Sequence, residues 1–228
     1  MRRHAATRPF TLIELIAVMG VIILLSATAI PAYSSLFSGR KTTLAANQLN
    51  GAVMEARAHA VSSRSYTALV FVKYKDASGK DEKGYRAFRM AEVYHKADAS
   101  ESDTNYTWRR WAPGSSFVLL PENTMIPDSK ENLGTVSPTA NGNRGSTSLL
   151  NVKSLPTGSE SEPMPNNESK APAILFRPNG QLAGTRENNV VVRFVEVNRY
   201  EASSSKAPKL PLNINWLTCK TKFLDPVQ

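Results

Sequence analysis

The stretch RPFTLIELIAVMGVIILLSATAIPAY, residues 8–33, decides how the rest of the chain is read. It is the most apolar part of the sequence, yet Glu14 stands almost at its start. A charged carboxylate at a bilayer centre costs about 2.5–3.5 kcal/mol, so this position needs a physical reason. The local pattern supplies one. Thr11-Leu12-Ile13-Glu14 has the spacing of a capping box, with Thr11 as the N-cap and Glu14 at the third helical position. A carboxylate in the first turn also complements the positive end of the helix dipole. Glu14 is therefore expected near the membrane interface rather than at the centre of a span.

Residues 1–9, MRRHAATRP, are short, basic and free of acidic groups. From Leu12 to Tyr33 the chain then offers about 22 residues, enough for a helix of roughly 33 Å. Basic residues before the span place the N-terminus in the cytoplasm. The span exceeds the apolar core of about 7–15 residues found in signal peptides. Ser26-Ala27-Thr28-Ala29 is only a weak cleavage signal, so an anchor is expected rather than a removed segment.

Beyond Tyr33 the helical pattern continues. Ala45, Leu49, Ala52, Val53, Ala56 and Ala60 recur at spacings of three and four, with Asn47, Asn50, Glu55 and Arg57 between them. One helix is expected from about Phe10 to Ser62, half in lipid (10–33) and half amphipathic (34–63) against a soluble domain. Pro31 removes a backbone donor and should kink this helix near Ala27, and Gly39 is a second weak point.

At Tyr66 the period changes. YTALVFVKY (66–74) and YRAFRMAEVY (85–94) read as a hairpin around the loop DASGKDEKG (76–84). SSFVLL (115–120), AILF (173–176), NVVVRFVEV (189–197) and LNINWL (212–217) read as further strands, with RPNGQ (177–181) as a turn. Residues 121–172 are crowded with Pro, Gly, Ser and Asn and are expected to form a long loop, broken only by a short strand at Leu149-Leu150-Asn151-Val152. The expected fold class is α+β, with the long N-terminal helix packed on an antiparallel sheet or sandwich spanning 64–228.

Composition narrows the chemistry. The 228 residues carry a net charge of +9, and three of those charges (Arg2, Arg3, Arg8) lie in the leader. The remaining excess is weak evidence for a nucleic-acid partner. The one cysteine, Cys219, cannot form an internal disulfide and reads as a small, half-buried apolar residue. Only His4, His59 and His95 exist, and no metal, nucleotide or hydrolase motif appears. His59, among alanines on the helix, reads as structural or exposed. The quartet Trp108-Arg109-Arg110-Trp111 reads as strand-edge aromatic packing with arginines stacked on the rings, although stacking on nucleic acid is conceivable. No enzyme, cofactor or metal is expected.

The stretch that opens the chain resembles the N-terminus of type IV pilins and type II secretion pseudopilins. A short basic leader is followed by a cut before Phe, then T-L-I-E-L, then an apolar run broken by proline. NQLNGAVMEARAHAVSSRSYTALVFV, FVLLPENTMI, ILFRPNGQLAG and LNINWLTCKTKF are similar to segments of H-type minor pseudopilins and related minor pilins.

The resemblance implies cleavage between Pro9 and Phe10 by a membrane prepilin peptidase, and N-methylation of Phe10. Glu14 would become the glutamate that pairs with the N-terminal amine of a neighbouring subunit, self-pairing with Phe10 being the competing geometry. The implied partners are the peptidase, the inner membrane and other pilins or pseudopilins, met through the N-terminal helix. The implied location is the inner membrane, single-pass with the C-terminal domain in the periplasm, and then a periplasmic filament. The family usually has glycine before the cut, where this chain has Pro9. A DNA-binding minor pilin using Lys206, Lys209, Lys220 and Lys222 on phosphates is the alternative.

Overall fold

The computed structural model describes residues 12–75, 81–95, 106–128, 132–136, 147–156, 170–184, 188–202 and 207–224. The side chains of 27–39, 74–75, 81–83, 135–136, 147–148 and 201–202 lie outside that description. Helix α1 is assigned over Leu12–Ser63. The chain divides within it into two units, Met1–Arg40 and Lys41–Gln228, each described by itself.

In the first unit every described side chain of α1 is exposed, from Leu12 at 79% to Leu25 at 61%. Apolar residues lie on all sides of this stretch, so it has no polar face of the kind a surface helix presents to water.

In the second unit the helical segment from Lys41 to Ser63 buries Ala45, Ala46, Leu49, Val53, Ala56 and Ala60 in one core. Twelve strands follow among the described residues: β1 (Thr67–Lys75), β2 (Asp81–His95), β3 (Tyr106–Trp111), β4 (Val118–Leu119), β5 (Thr124–Pro127) and β6 (Leu133–Val136) come first. The rest are β7 (Thr147–Ser148), β8 (Asn151–Lys153), β9 (Lys170–Phe176), β10 (Asn189–Glu196), β11 (Leu210–Ile214) and β12 (Thr221–Phe223). A short helix, α2 (Val197–Ala202), separates β10 from β11.

The β1–β2 hairpin is antiparallel, with Phe71 opposite Phe88. On its other side β1 pairs with β9, β9 with β8, β8 with β3 and β3 with β2, so five strands return to their start and close a barrel. Closure needs narrow side chains inside. Ala68, Val70, Val72, Ala87, Ala91, Ala171 and Ala173 supply them, and Tyr106 is the largest fully buried residue in this interior. The period-2 alternation turns Leu69, Phe71, Phe88, Met90, Ile174 and Phe176 outward into the core shared with the Lys41–Ser63 segment.

Strand β5 joins the barrel to a second set of strands. Ile126 and Pro127 pair with β2, while Thr124 and Met125 pair with β10, which also carries β6 and β11. At the first crossing a Cβ on Gly84 would sit 2.5 Å from the Ile126 carbonyl oxygen. Only glycine allows the two backbones to come this close.

Two expectations are corrected here. The chain is not an α+β arrangement of a long membrane-length helix on an open sheet or sandwich. It is mostly β and built on a closed five-strand barrel. Among the described residues no helix is long and apolar enough to cross a membrane. Nor are residues 121–172 a loop with one short strand, for β5, β6, β7, β8 and the start of β9 fall within them. Short strands of two to four residues carry too little periodicity to stand out among turn-forming residues.

Two substitutions test this packing. Gly84→Ala should destabilise the folded state by about 1–3 kcal/mol, because the clash is with backbone and cannot be relieved by a rotamer. Leu49→Ala should cost about 2–5 kcal/mol by opening a cavity under the helical segment. Thermal and denaturant unfolding followed by circular dichroism measures both. A stability of Gly84→Ala equal to that of the parent would contradict the close crossing.

Candidate functional site

The residues named from the N-terminal motif are placed as follows. Pro9, Phe10 and Thr11 lie outside the described residues, as does His4. Glu14 is exposed in the first turn of α1, the only acidic residue there. Around it Leu12, Ile13, Leu15, Ile16, Val18 and Met19 are also exposed. The helix assignment runs through Pro31, but its side chain and the expected kink near Ala27 lie outside the description. Of the lysines proposed for phosphate contact, Lys206 lies outside, Lys209 is half-buried, and Lys220 and Lys222 are exposed around β12.

The second unit contains a charged cluster that was not anticipated. Glu92 lies on the helix-facing side of β2, and its side chain is 4% exposed. Arg110 on β3 grips it bidentately, Nε donating to Oε2 at 2.8 Å and an Nη2 hydrogen to Oε1 at 2.9 Å. His59, from the last turns of α1, meets Oε1 through Nε2 at 3.3 Å. A guanidinium nitrogen of Arg109 lies 3.8 Å from Oε2. One desolvated carboxylate thus ties a helix to two strand arginines. The Arg110 hydrogen bonds, opposed by burial and aided by His59, hold the Glu92 carboxyl below its usual range. His59, which the sequence leaves as structural or exposed, is structural, and its partner is the Glu92 carboxylate.

A β-bulge builds this cluster. In the β2–β3 pairing Glu92 faces Arg110 and Val93 faces Trp108, so Arg109 is an extra residue on β3. Regular alternation would put Trp108 and Arg110 on one face. The extra residue instead sends Arg109 and Arg110 toward Glu92 and both tryptophans to the other side. There Trp108 and Trp111 meet edge to face at 6.1 Å, and Trp111 packs on Phe117 at 5.3 Å. Arg89 of β2, not an arginine of the quartet, stacks on Trp111 and Phe117 at 4.8 and 5.0 Å. The expected aromatic packing is present, with a different cation over the rings. The quartet itself was visible in the sequence, but its register, and hence the role of Glu92, depends on a bulge that alternation cannot reveal.

The other polar groups tie the chain to itself. His95 packs, tilted, against Tyr66 and Tyr106 at 5.1 and 4.9 Å, and the two tyrosines meet each other edge to face at 5.9 Å. Cys219 is fully buried rather than half-buried, and its thiol donates to the Gly180 carbonyl at 3.2 Å. Burial pushes that thiol up to about 11, so it is inert as a nucleophile at neutral pH. Arg57 donates to the Thr218 carbonyl at 2.6 Å, and the Thr221 hydroxyl donates to the Asn50 side-chain oxygen at 2.8 Å. Among the described residues no group of His, Cys, Asp and Glu could hold a metal ion.

The Glu92 cluster predicts a pH dependence with a fixed sign. A carboxyl depressed in the folded state contributes stability above its unfolded value of about 4.3, and loses it as pH falls through the lower folded value. Glu92→Gln should therefore lower the melting temperature near pH 7, and the gap to the parent should close as the pH falls below the ordinary glutamate range. Melting curves across that range decide it. A gap independent of pH would exclude the ionised carboxylate as its source.

Comparison of the chain with family models, with curated proteins and with solved structures returns no match.

Proposed function

We propose that this chain is a pilin-like structural subunit, a minor pseudopilin of a type II secretion or type IV pilus system. Its leader is removed between Pro9 and Phe10 by prepilin peptidase, and Phe10 is then methylated. The subunit is held in the inner membrane through the apolar sequence 10–33, with its C-terminal domain in the periplasm, before it joins a periplasmic filament. The observation that carries this reading is the stretch from Leu12 to Leu25, exposed and apolar on all sides, with Glu14 its only charge. Apolar surface of this extent needs lipid or protein around it, and both are available to a subunit that passes from membrane to filament.

Glu14 then has a chemical task. After cleavage the new amine of Phe10 lies four residues away, one turn along a helix. In this reading its carboxylate pairs with the amine of the subunit that enters next, and their attraction strengthens as lipid and apolar side chains exclude water. The desolvation cost offsets much of that gain, so the pair acts chiefly in register and partner choice.

The decisive experiment has two readouts. N-terminal sequencing of the chain expressed with a prepilin peptidase should begin at N-methyl-phenylalanine, Phe10. Glu14→Ala should remain membrane-associated and cleaved but should fail to co-assemble with its partner pilins in a cross-linking or pull-down assay. Normal incorporation of Glu14→Ala, or a mature chain that still begins at Met1, would overturn the proposal.

A further inference from the structure

Beyond that reading, and independent of it, we infer that the Arg109–Arg110–Tyr94 surface of the β-rich unit is a docking site for an acidic peptide segment of a partner protein. The bulge at Arg109 places two guanidiniums side by side on one face of β3. Their side chains are 45% and 56% exposed, although both are oriented from within by the buried Glu92. Arg110 is committed to Glu92 in a fork-to-fork pair, which fixes its plane. Arg109 approaches the same carboxylate only at 3.8 Å and lies 5.1 Å over the ring of Tyr94, which is itself 57% exposed. One carboxylate against two permanent cations leaves the face positive even with His59 neutral.

This arrangement is a receptor with its side chains already positioned. Ordering a flexible arginine at an interface costs side-chain entropy. Here the internal carboxylate and the tyrosine ring have met that cost before a ligand arrives. Past Thr107, which meets Lys153 of β8, no described strand pairs with the far side of β3. An extended segment could lie along that edge with its carboxylates on Arg109 and Arg110. The bulge breaks the regular ladder, so side-chain charge rather than backbone pairing sets the specificity.

A nucleic acid fits this surface less well than a peptide. The two tryptophans that would stack on bases are turned to the opposite face and packed on each other, on Phe117 and on Arg89. The exposed ring at this surface, Tyr94, has the Arg109 guanidinium over its face. Nor do the exposed Lys220 and Lys222 extend the patch, since β12 ends the strand order four pairings beyond β2.

The test uses the purified full chain and a fluorescein-labelled extended glutamate-rich peptide, read by anisotropy at low and high salt. Salt-sensitive binding is expected, weakened about ten-fold or more by Arg109→Ala and retained by a control substitution of Lys222. Arg109→Ala leaves the Arg110–Glu92 pair intact, and an unchanged tryptophan spectrum and melting curve establish that it is folded. Arg109→Gln serves as the second variant if it is not. No binding by the parent chain, or equal binding by the Arg109 variants, would sink the proposal. Preferential binding of a single-stranded oligonucleotide at the same residues would replace it with a nucleic-acid site.

Discussion

A ring of five strands has almost no room inside, and that constraint organises the β-rich unit. Most inward positions on β1, β2 and β9 are small, alanine filling five of them, and this leaves space for the one large ring of Tyr106. The bulky residues on the same strands must then face outward, where Leu69, Phe71, Phe88, Met90, Ile174 and Phe176 need a cover. The Lys41–Ser63 segment supplies it with a stripe that is itself mostly alanine. Small residues on the helix let it approach large residues on the strands, so the two surfaces interlock by size. Polar ties from Asn50, Arg57 and His59 then fix the segment along its length.

Glu92 marks where this arrangement takes on charge. It lies on the outward face, where its strand neighbours are Phe88 and Met90, and its carboxylate would be costly there without partners. The bulge at Arg109 provides two arginines where a regular strand would provide one. A feature that satisfies a buried acid also leaves a positive surface outside, so a single backbone irregularity has a structural effect and a chemical one.

Much of this was legible in the residues. The stripe from Ala45 to Ala60 is at helical spacing, and every member except the half-buried Ala52 is buried. The hairpin of β1 and β2, the turn at 177–181 and the strands β9, β10 and β11 also follow their sequence patterns. What alternation cannot show is which strands meet when they are far apart in sequence. Closure of the barrel depends on β1 finding β9, a pairing across about a hundred residues that leaves no local trace. The short strands between 121 and 172 were hidden by their turn-rich composition, and the register of β3 by an extra residue. The N-terminal motif is the reverse case: its reading rests on the residues alone, because Pro9, Phe10 and Thr11 lie outside the described structure.

The barrel is also unevenly sewn. β1 and β2 are joined along most of their length, whereas β3 and β8 meet in parallel at one position, Thr107 opposite Lys153. A ring held by one such stitch has a built-in seam. It is the junction of the ring with the fewest paired residues, and parting it would leave β8 paired with β9 and the β1–β2 hairpin closed. Opening at that one position leaves every other pairing of the ring in place, so the strands that separate stay aligned to close again.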